Sequence, residues 1–184
     1  MRRFILTGAP GSGKTAILRQ LQLDGFSVIE EAATDIVAAG LAQGSQPWTD
    51  PSFIDTIARL QKDRQLQAQS TDIQFHDRSP VCTAALATHL GYPISPFLAA
   101  ELQRIQQEAI YQPQVFFIRN LGFVTPTEVR RITLEDTLRF EQIHEQTYRA
   151  LGFQLIFIDP APVAARVAAI KATLPAPERY NPMR

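Results

Sequence analysis

The feature that most constrains the fold of this chain is an eight-residue pattern near its start. Residues 8–15, GAPGSGKT, match G-x-x-x-x-G-K-[ST] in full. The apolar run Phe4-Ile5-Leu6 precedes the pattern, and apolar residues at helical spacing follow it. We therefore predict a buried strand, a tight glycine turn and a helix, in that order. The alternative is a glycine-rich turn with a chance lysine, and the full match in this context counts against it.

The residue types of this loop suit a bound triphosphate. Glycines allow backbone angles that turn successive N–H groups toward an anion, and the N-terminus of the following helix adds partial positive charge. Lys14 can supply a point charge to the β- and γ-phosphates, and the Thr15 hydroxyl can ligate Mg²⁺. The predicted ligands are ATP and Mg²⁺, and the predicted nucleotide-binding residues are Gly8, Pro10, Gly11, Ser12, Gly13, Lys14, Thr15 and Ala16.

Apolar runs and helical patterns alternate along the rest of the chain. Further strands are expected at 26–29, 73–77, 115–118 and 153–158. Helices are expected over 14–23, 32–41, 51–69 and 80–90, then up to about 111, and over 133–151 and 163–174. This order predicts an α/β fold, a parallel five-stranded sheet with helices on both faces. No linker divides the chain, so residues 1–174 are expected to form one domain and 175–184 a tail.

Composition excludes several classes of function. The 184 residues carry 18 basic and 18 acidic side chains, so broad electrostatic capture of nucleic acid or an anionic membrane is not expected. No apolar stretch is long enough to cross a membrane. The one cysteine, Cys82, cannot form an intrachain disulfide, which fits a reducing cytosol. We expect a cytoplasmic protein that acts on a small molecule, and its oligomeric state stays open.

Two groups of charged residues end predicted strands. Asp77, followed by Arg78 and Ser79, ends the third strand, and Glu30-Glu31 ends the second. Because the carboxyl ends of parallel strands face the ligand crevice, Asp77 can hold Mg²⁺ and Arg78 can clamp phosphate or substrate. A surface ion pair or a helix cap is the alternative for Asp77. One glutamate can orient or deprotonate an attacking hydroxyl, or be a solvated turn charge; adjacent residues point to opposite sides, so at most one faces the site.

Together these segments resemble the P-loop kinase-like NTPases, which include the nicotinamide riboside kinase domain and small AAA-type ATPases, and more distantly the deoxynucleoside kinases. The resemblance covers about residues 4–171 and is carried by residues 8–15, 28–33, 75–79 and 139–153. It implies the fold of P-loop containing nucleoside triphosphate hydrolases. It also implies a catalytic base at Glu31 (or Glu30) and an Asp-Arg-Ser element at 77–79. Relatives often carry an arginine three residues after the glutamate, where this chain has Thr34.

Kinases of this fold also resemble one another in that each has a lid segment, with arginines, after the fourth strand. Arg130 and Arg131, with Arg139 on the next helix, occupy that region. The resemblance implies that they close over the transferring phosphate. Helix-surface pairing with Glu135, or plain solvation, is the alternative. The loop 159–162 is expected by analogy to flank adenine.

Two functions of different classes follow. The first is a kinase that transfers the γ-phosphoryl of ATP to a hydroxyl of a nucleoside-like or other small metabolite. Its catalytic residues would be Lys14, Glu31, Asp77, Arg78, Arg130 and Arg131, with Thr15 and Asp77 at the metal. The second is a slow ATPase or a nucleotide-dependent regulator that acts through a protein partner. A kinase requires an enclosed acceptor cavity near the Glu30-Glu31 strand end, Asp77 and residues 43–53, whereas a regulator requires an exposed apolar patch there.

Overall fold

A five-stranded parallel sheet forms the centre of the molecule. The computed structural model describes residues 1–69, 71–122 and 133–175. The strands are β1 (Arg2–Thr7), β2 (Ser27–Ile29), β3 (Ile73–Asp77), β4 (Gln114–Ile118) and β5 (Gln154–Ile158), in the spatial order β2-β3-β1-β4-β5. The helices are α1 (Lys14–Leu23), α2 (Ala32–Ala42), α3 (Ser52–Gln67), α4 (Pro80–Leu90), α5 (Pro96–Gln107), α6 (Leu134–Ala150) and α7 (Val163–Thr173).

The two faces of the sheet are covered by different helices. Side chains alternate along β1, so Phe4 and Leu6 pack on one face with apolar residues of α1 and α7. Ile5 points to the other face, where it joins a cluster from α4, α5 and α6. Both faces are buried, which explains why the central strands are nearly continuous apolar runs. The predicted α/β architecture is confirmed.

Most helices begin or end at residues whose side chain or backbone conformation favours a helix terminus. Gly91 ends α4 in a left-handed conformation, and the Thr133 hydroxyl accepts a hydrogen bond from the backbone N–H of Asp136 at the start of α6, 3.1 Å away. The expected end of α5 near residue 111 is wrong. The helix stops at Gln107 because Ala109 adopts a positive φ of 46°, which breaks the helical path. A short 3₁₀ turn, Pro47–Thr49, lies between α2 and α3, where the sequence predicts neither a helix nor a strand.

Some expectations concern residues that the structure does not describe. Arg130 and Arg131 lie outside the described residues, as do residues 176–184 of the expected tail. Within the described ranges, no helix combines the length and the apolar character required to cross a membrane.

Candidate functional site

The predicted phosphate loop connects β1 directly to α1. Gly8 has a φ of 149°, and a side chain there would collide with the backbone carbonyl of Ile118 at the end of β4. Gly11 and Gly13 have φ values of 83° and 79°, in the left-handed region, and Gly13 is the N-cap of α1. These glycines are needed for the conformation, because a Cβ is strained or excluded at each. The loop thus places backbone N–H groups and a helix N-terminus at one point, as an anion site requires.

Lys14 and Asp77 form a buried ion pair beside this loop. Leu6 of β1 is in register with Asp77 of β3, and the N–H of Arg78 donates to the Leu6 carbonyl at 3.0 Å. This pairing brings the end of β3 next to the start of α1, where the Lys14 ammonium contacts the Asp77 carboxylate. Burial raises the pKa of Asp77, although the charge of Lys14 acts in the opposite direction. The end of β3 therefore places Asp77 beside the phosphate loop, as expected for the carboxyl end of a parallel strand.

The loop residues fit an anionic ligand better than a metal ion held by protein alone. The Ser12 hydroxyl oxygen is buried and has no hydrogen-bond partner within the described chain, so it can donate to a phosphate oxygen. Thr15 lies exposed in the first turn of α1. In residues 1–69, 71–122 and 133–175, no group of three or more His, Cys, Asp or Glu side chains is placed to hold a metal. A Mg²⁺ ion at Thr15 and Asp77 would take its other ligands from phosphates and water.

Glu31 is the glutamate that faces the site. Its Oε1 accepts from Arg78 Nε at 2.6 Å, and its Oε2 accepts from the Thr34 hydroxyl at 2.9 Å. Burial alone raises the pKa of Glu31, but the charges of Arg78 and Lys14 outweigh it and lower the value to about 2. Glu30 is exposed, and its carbonyl accepts from Arg64. Thr34, at the position where relatives often carry arginine, therefore holds the carboxylate in place.

Arg78 has a strained backbone conformation, and its guanidinium contacts a histidine whose role sequence reasoning missed. Its φ is 72°, in the left-handed region that non-glycine residues rarely adopt. His144 Nδ1 lies 3.0 Å from the Phe140 carbonyl, which can only accept, so Nδ1 carries the proton. His144 Nε2 then accepts from Arg78 Nη1 at 3.2 Å. Burial, and then the charge of Arg78, lower the pKa of His144 to about 3, so the imidazole is neutral. No sequence motif marks a lone histidine on α6 as a partner of Arg78.

A large cavity opens beside Glu31 and Arg78. It has a volume of about 770 Å³, lies between α2, α3, α4 and α6, and reaches Pro10 of the phosphate loop. Its walls are mainly aliphatic and aromatic. On one wall the Thr83 hydroxyl donates to Gln61 Oε1 at 2.8 Å. Asp77 is not among the lining residues, contrary to the boundary that the sequence predicted, because its carboxylate is turned toward Lys14.

Trp48 and Cys82 lie in the wall of the cavity, whereas Arg139 does not. The backbone carbonyl of Trp48 accepts from the Tyr92 hydroxyl at 3.0 Å. Cys82 is buried, 3.1 Å from the Thr7 hydroxyl and 3.0 Å from the Tyr148 hydroxyl. Arg139 lies on an exposed face of α6.

Comparison with known proteins agrees with this architecture. No curated protein sequence matches the chain. A solved deoxyadenosine kinase from M. mycoides with bound dATP is similar at a TM-score of 0.61 and 13% identity, over 94% of this chain and 98% of that one. The NadR protein in complex with NR is similar at a TM-score of 0.67 and 16% identity, over 93% of this chain and 50% of that one, so the likeness spans half of NadR. NadR in complex with NAD and AMP-PNP is similar at a TM-score of 0.67 and 14% identity, over 93% of this chain and 49% of that one.

These likenesses show a shared fold, that of P-loop kinases. A family model described as an AAA domain matches residues 3–166, which is most of the chain. The chain therefore belongs to this AAA domain family and has a P-loop kinase-like NTPase fold.

Proposed function

We propose that this protein is an ATP- and Mg²⁺-dependent kinase that phosphorylates a hydroxyl of a small, nucleoside-like metabolite. One observation carries the proposal. The cavity extends from the phosphate loop at Pro10 to an apolar interior, with Glu31 and Arg78 on its wall. An acceptor seated there would bring its hydroxyl close to the γ-phosphate of a nucleotide held by the loop. The similar deoxyadenosine kinase has dATP bound and the similar NadR protein has AMP-PNP bound, which supports a nucleotide ligand.

The loop residues would hold the nucleotide. Backbone N–H groups of the loop and the N-terminus of α1 would contact the phosphates, and Lys14 would supply the neutralising charge. Thr15 and Asp77 would hold Mg²⁺, which would supply positive charge to offset the charge that develops on the phosphates. Lys14 and Asp77 are already in contact, so their charges are organised around the same point before the phosphates are added.

Phosphoryl transfer would move the γ-phosphoryl group of ATP to the acceptor hydroxyl. The acceptor oxygen bonds to the γ-phosphorus, the bond from that phosphorus to the β–γ bridging oxygen breaks, and ADP leaves with that electron pair. The acceptor proton passes to Glu31 and then to solvent. Because the pKa of Glu31 is lowered to about 2, this carboxylate is a weak base and serves mainly to orient the hydroxyl, as suits a loose transition state.

Arg78 would stabilise the transferring group. Its Nε and Nη1 are engaged by Glu31 and His144, and no described residue accepts from Nη2, which leaves two N–H donors for a phosphoryl oxygen. Arg130 and Arg131, which lie outside the described residues, remain predicted lid residues that would add positive charge.

Charge within the cavity favours an acceptor without a phosphate of its own. Among the described lining residues the charged side chains are Glu31, Arg78 and Asp136, and the single cation, Arg78, is neutralised by Glu31. A phosphorylated acceptor would need a second cationic group there. A nucleoside or a similar neutral alcohol fits this lining better than a nucleotide.

Acceptor-dependent ADP formation tests the proposal. Purified protein is incubated with ATP, Mg²⁺ and a panel of nucleosides and other neutral alcohols, and ADP and phosphorylated products are measured by mass spectrometry. Lys14→Ala should abolish turnover, whereas Lys171→Ala, which removes an exposed lysine paired with Asp24, should not. ADP formation at one rate with and without every acceptor would favour the ATPase alternative. No ADP formation under any condition would contradict both the kinase and the ATPase.

A further inference from the structure

Arg166, on the first turns of α7, is a buried cation without a counter-ion in the described chain. Only 3% of its surface is exposed, and it takes part in no ion pair among the described residues. Its Nε is buried with no hydrogen-bond partner, and Nη2 makes only a long 3.4 Å contact to the Arg119 carbonyl. Burying a cation costs free energy unless an anion compensates it, so such a side chain is normally paired.

The neighbouring arginine shows the contrast. Arg119 donates to Glu141 at 3.0 Å and approaches Glu145 at 3.4 Å, so its charge is balanced within the protein. Burial lowers the pKa of Arg166, which reflects the same unfavourable environment for its charge. An anion from outside the chain would relieve this cost.

The guanidinium of Arg166 lies against the phosphate loop. Its Nη1 is 3.0 Å from the position that a Cβ on Gly13 would occupy, and a methyl group of Leu121 is 3.6 Å from the same point. Gly13 is the last glycine of the loop and the N-cap of α1, where the backbone N–H groups are unpaired and attract anions. The absence of a side chain at residue 13 therefore brings Arg166 within contact distance of the loop that is expected to hold phosphates.

We infer that Arg166 binds the polyphosphate of the nucleotide, as a second cation supplied by α7 in addition to Lys14 from α1. The inference rests on the proposed nucleotide site and adds a ligand that no loop motif contains. A phosphate oxygen beside Gly13 supplies the missing negative charge and an acceptor for the unpaired N–H groups, and a planar guanidinium suits phosphate geometry. Because the contact is with phosphate and not with the base, affinity should depend on the number of phosphates.

Arg166→Met tests this role, because methionine keeps much of the side-chain length and removes the charge. Arg19→Met, on the exposed side of α1, is the matched control. Binding of ATP and of adenosine is measured by calorimetry and by ligand-induced shifts of the melting temperature. We expect ATP affinity to fall at least about tenfold in Arg166→Met and not in Arg19→Met, with adenosine affinity unchanged. Without added ligand, the melting temperature of Arg166→Met should stay the same or rise, since an unpaired buried charge is lost.

The other outcomes are also decisive. Wild-type affinity for ATP in Arg166→Met would overturn the inference, and so would an equal loss for ATP and adenosine, which would indicate a base contact or a structural role. If Arg166→Met does not fold, Arg166→Lys should fold and bind ATP less tightly with adenosine affinity unchanged; equal ATP affinity in that variant would overturn it. A wild-type protein that binds no ATP would refute the proposed function itself. A protein that binds ATP but transfers no phosphate leaves the role of Arg166 intact.

Discussion

Two imidazoles buried in the neutral form should make the stability of this protein depend on pH. Burial, aided by Arg3 near His76 and by Arg78 near His144, lowers the pKa of each histidine to about 3, from an ordinary value of 6.5. Between these values the unfolded chain binds more protons than the folded chain. The free energy of unfolding therefore falls as the pH is lowered from 6.5 toward 3.

The size of the effect follows from these pKa values. Well below its unfolded pKa, each histidine contributes about 1.4 kcal/mol per pH unit. Between about pH 7.5 and pH 5.5 the loss is about 1.4 kcal/mol for each imidazole and about 3 kcal/mol for the two. That is a large part of the roughly 5–15 kcal/mol that stabilises a typical domain. Asp77, whose pKa is raised by burial, acts in the opposite direction, so single variants measure the effect better than the total slope does.

Urea unfolding near pH 7.5, 6.5 and 5.5 tests the prediction. Circular dichroism and the fluorescence of Trp48, the one tryptophan, report unfolding. His76→Gln and His144→Gln should each lose about 1.4 kcal/mol less than wild type over this range, because glutamine does not titrate. His89→Gln is the control; burial also lowers the pKa of His89, but its side chain is only half-buried, so its effect should be smaller. An identical pH dependence in wild type and in the His76 and His144 variants would refute the conclusion that both imidazoles are buried and neutral.

Three further substitutions test the loop and its surroundings. Lys14→Ala should reduce nucleotide turnover by about 10²-fold or more while the far-ultraviolet circular dichroism spectrum is retained, and turnover equal to that of Lys171→Ala would contradict the phosphate-loop assignment. Asp77→Asn should weaken Mg²⁺-dependent activity more than nucleotide binding; activity equal to wild type throughout a Mg²⁺ titration would remove Asp77 from the metal. Gly8→Ala should cost about 1–3 kcal/mol in urea unfolding and impair nucleotide binding, because φ is 149° and the new methyl group meets the Ile118 carbonyl. Wild-type stability and binding in this variant would show that the loop tolerates a side chain.

Local patterns predicted much of the fold. The structure has α1 and β3 at the predicted bounds, 14–23 and 73–77, because periodicity and the turn at Gly25 act over a few neighbouring residues. The end of α5 was wrong because the left-handed conformation of Ala109 is not marked by a glycine or proline. Of the two glutamates after β2, Glu31 lines the cavity and Glu30 is exposed, and this difference depends on how the end of β2 lies against Arg78.

The sequence by itself determined the phosphate loop, the alternation of strands and helices, and the positions of Lys14 and Asp77 at strand and helix ends. These features depend on backbone conformation and hydrophobic periodicity, which neighbouring residues control. Only the tertiary structure decided that His144 holds Arg78, that Asp77 turns toward Lys14 rather than into the cavity, and that Arg166 lies on the phosphate loop. These contacts join residues that are 63 to 153 positions apart in the chain, so they depend on how the helices pack on the sheet and on the space that the packing leaves.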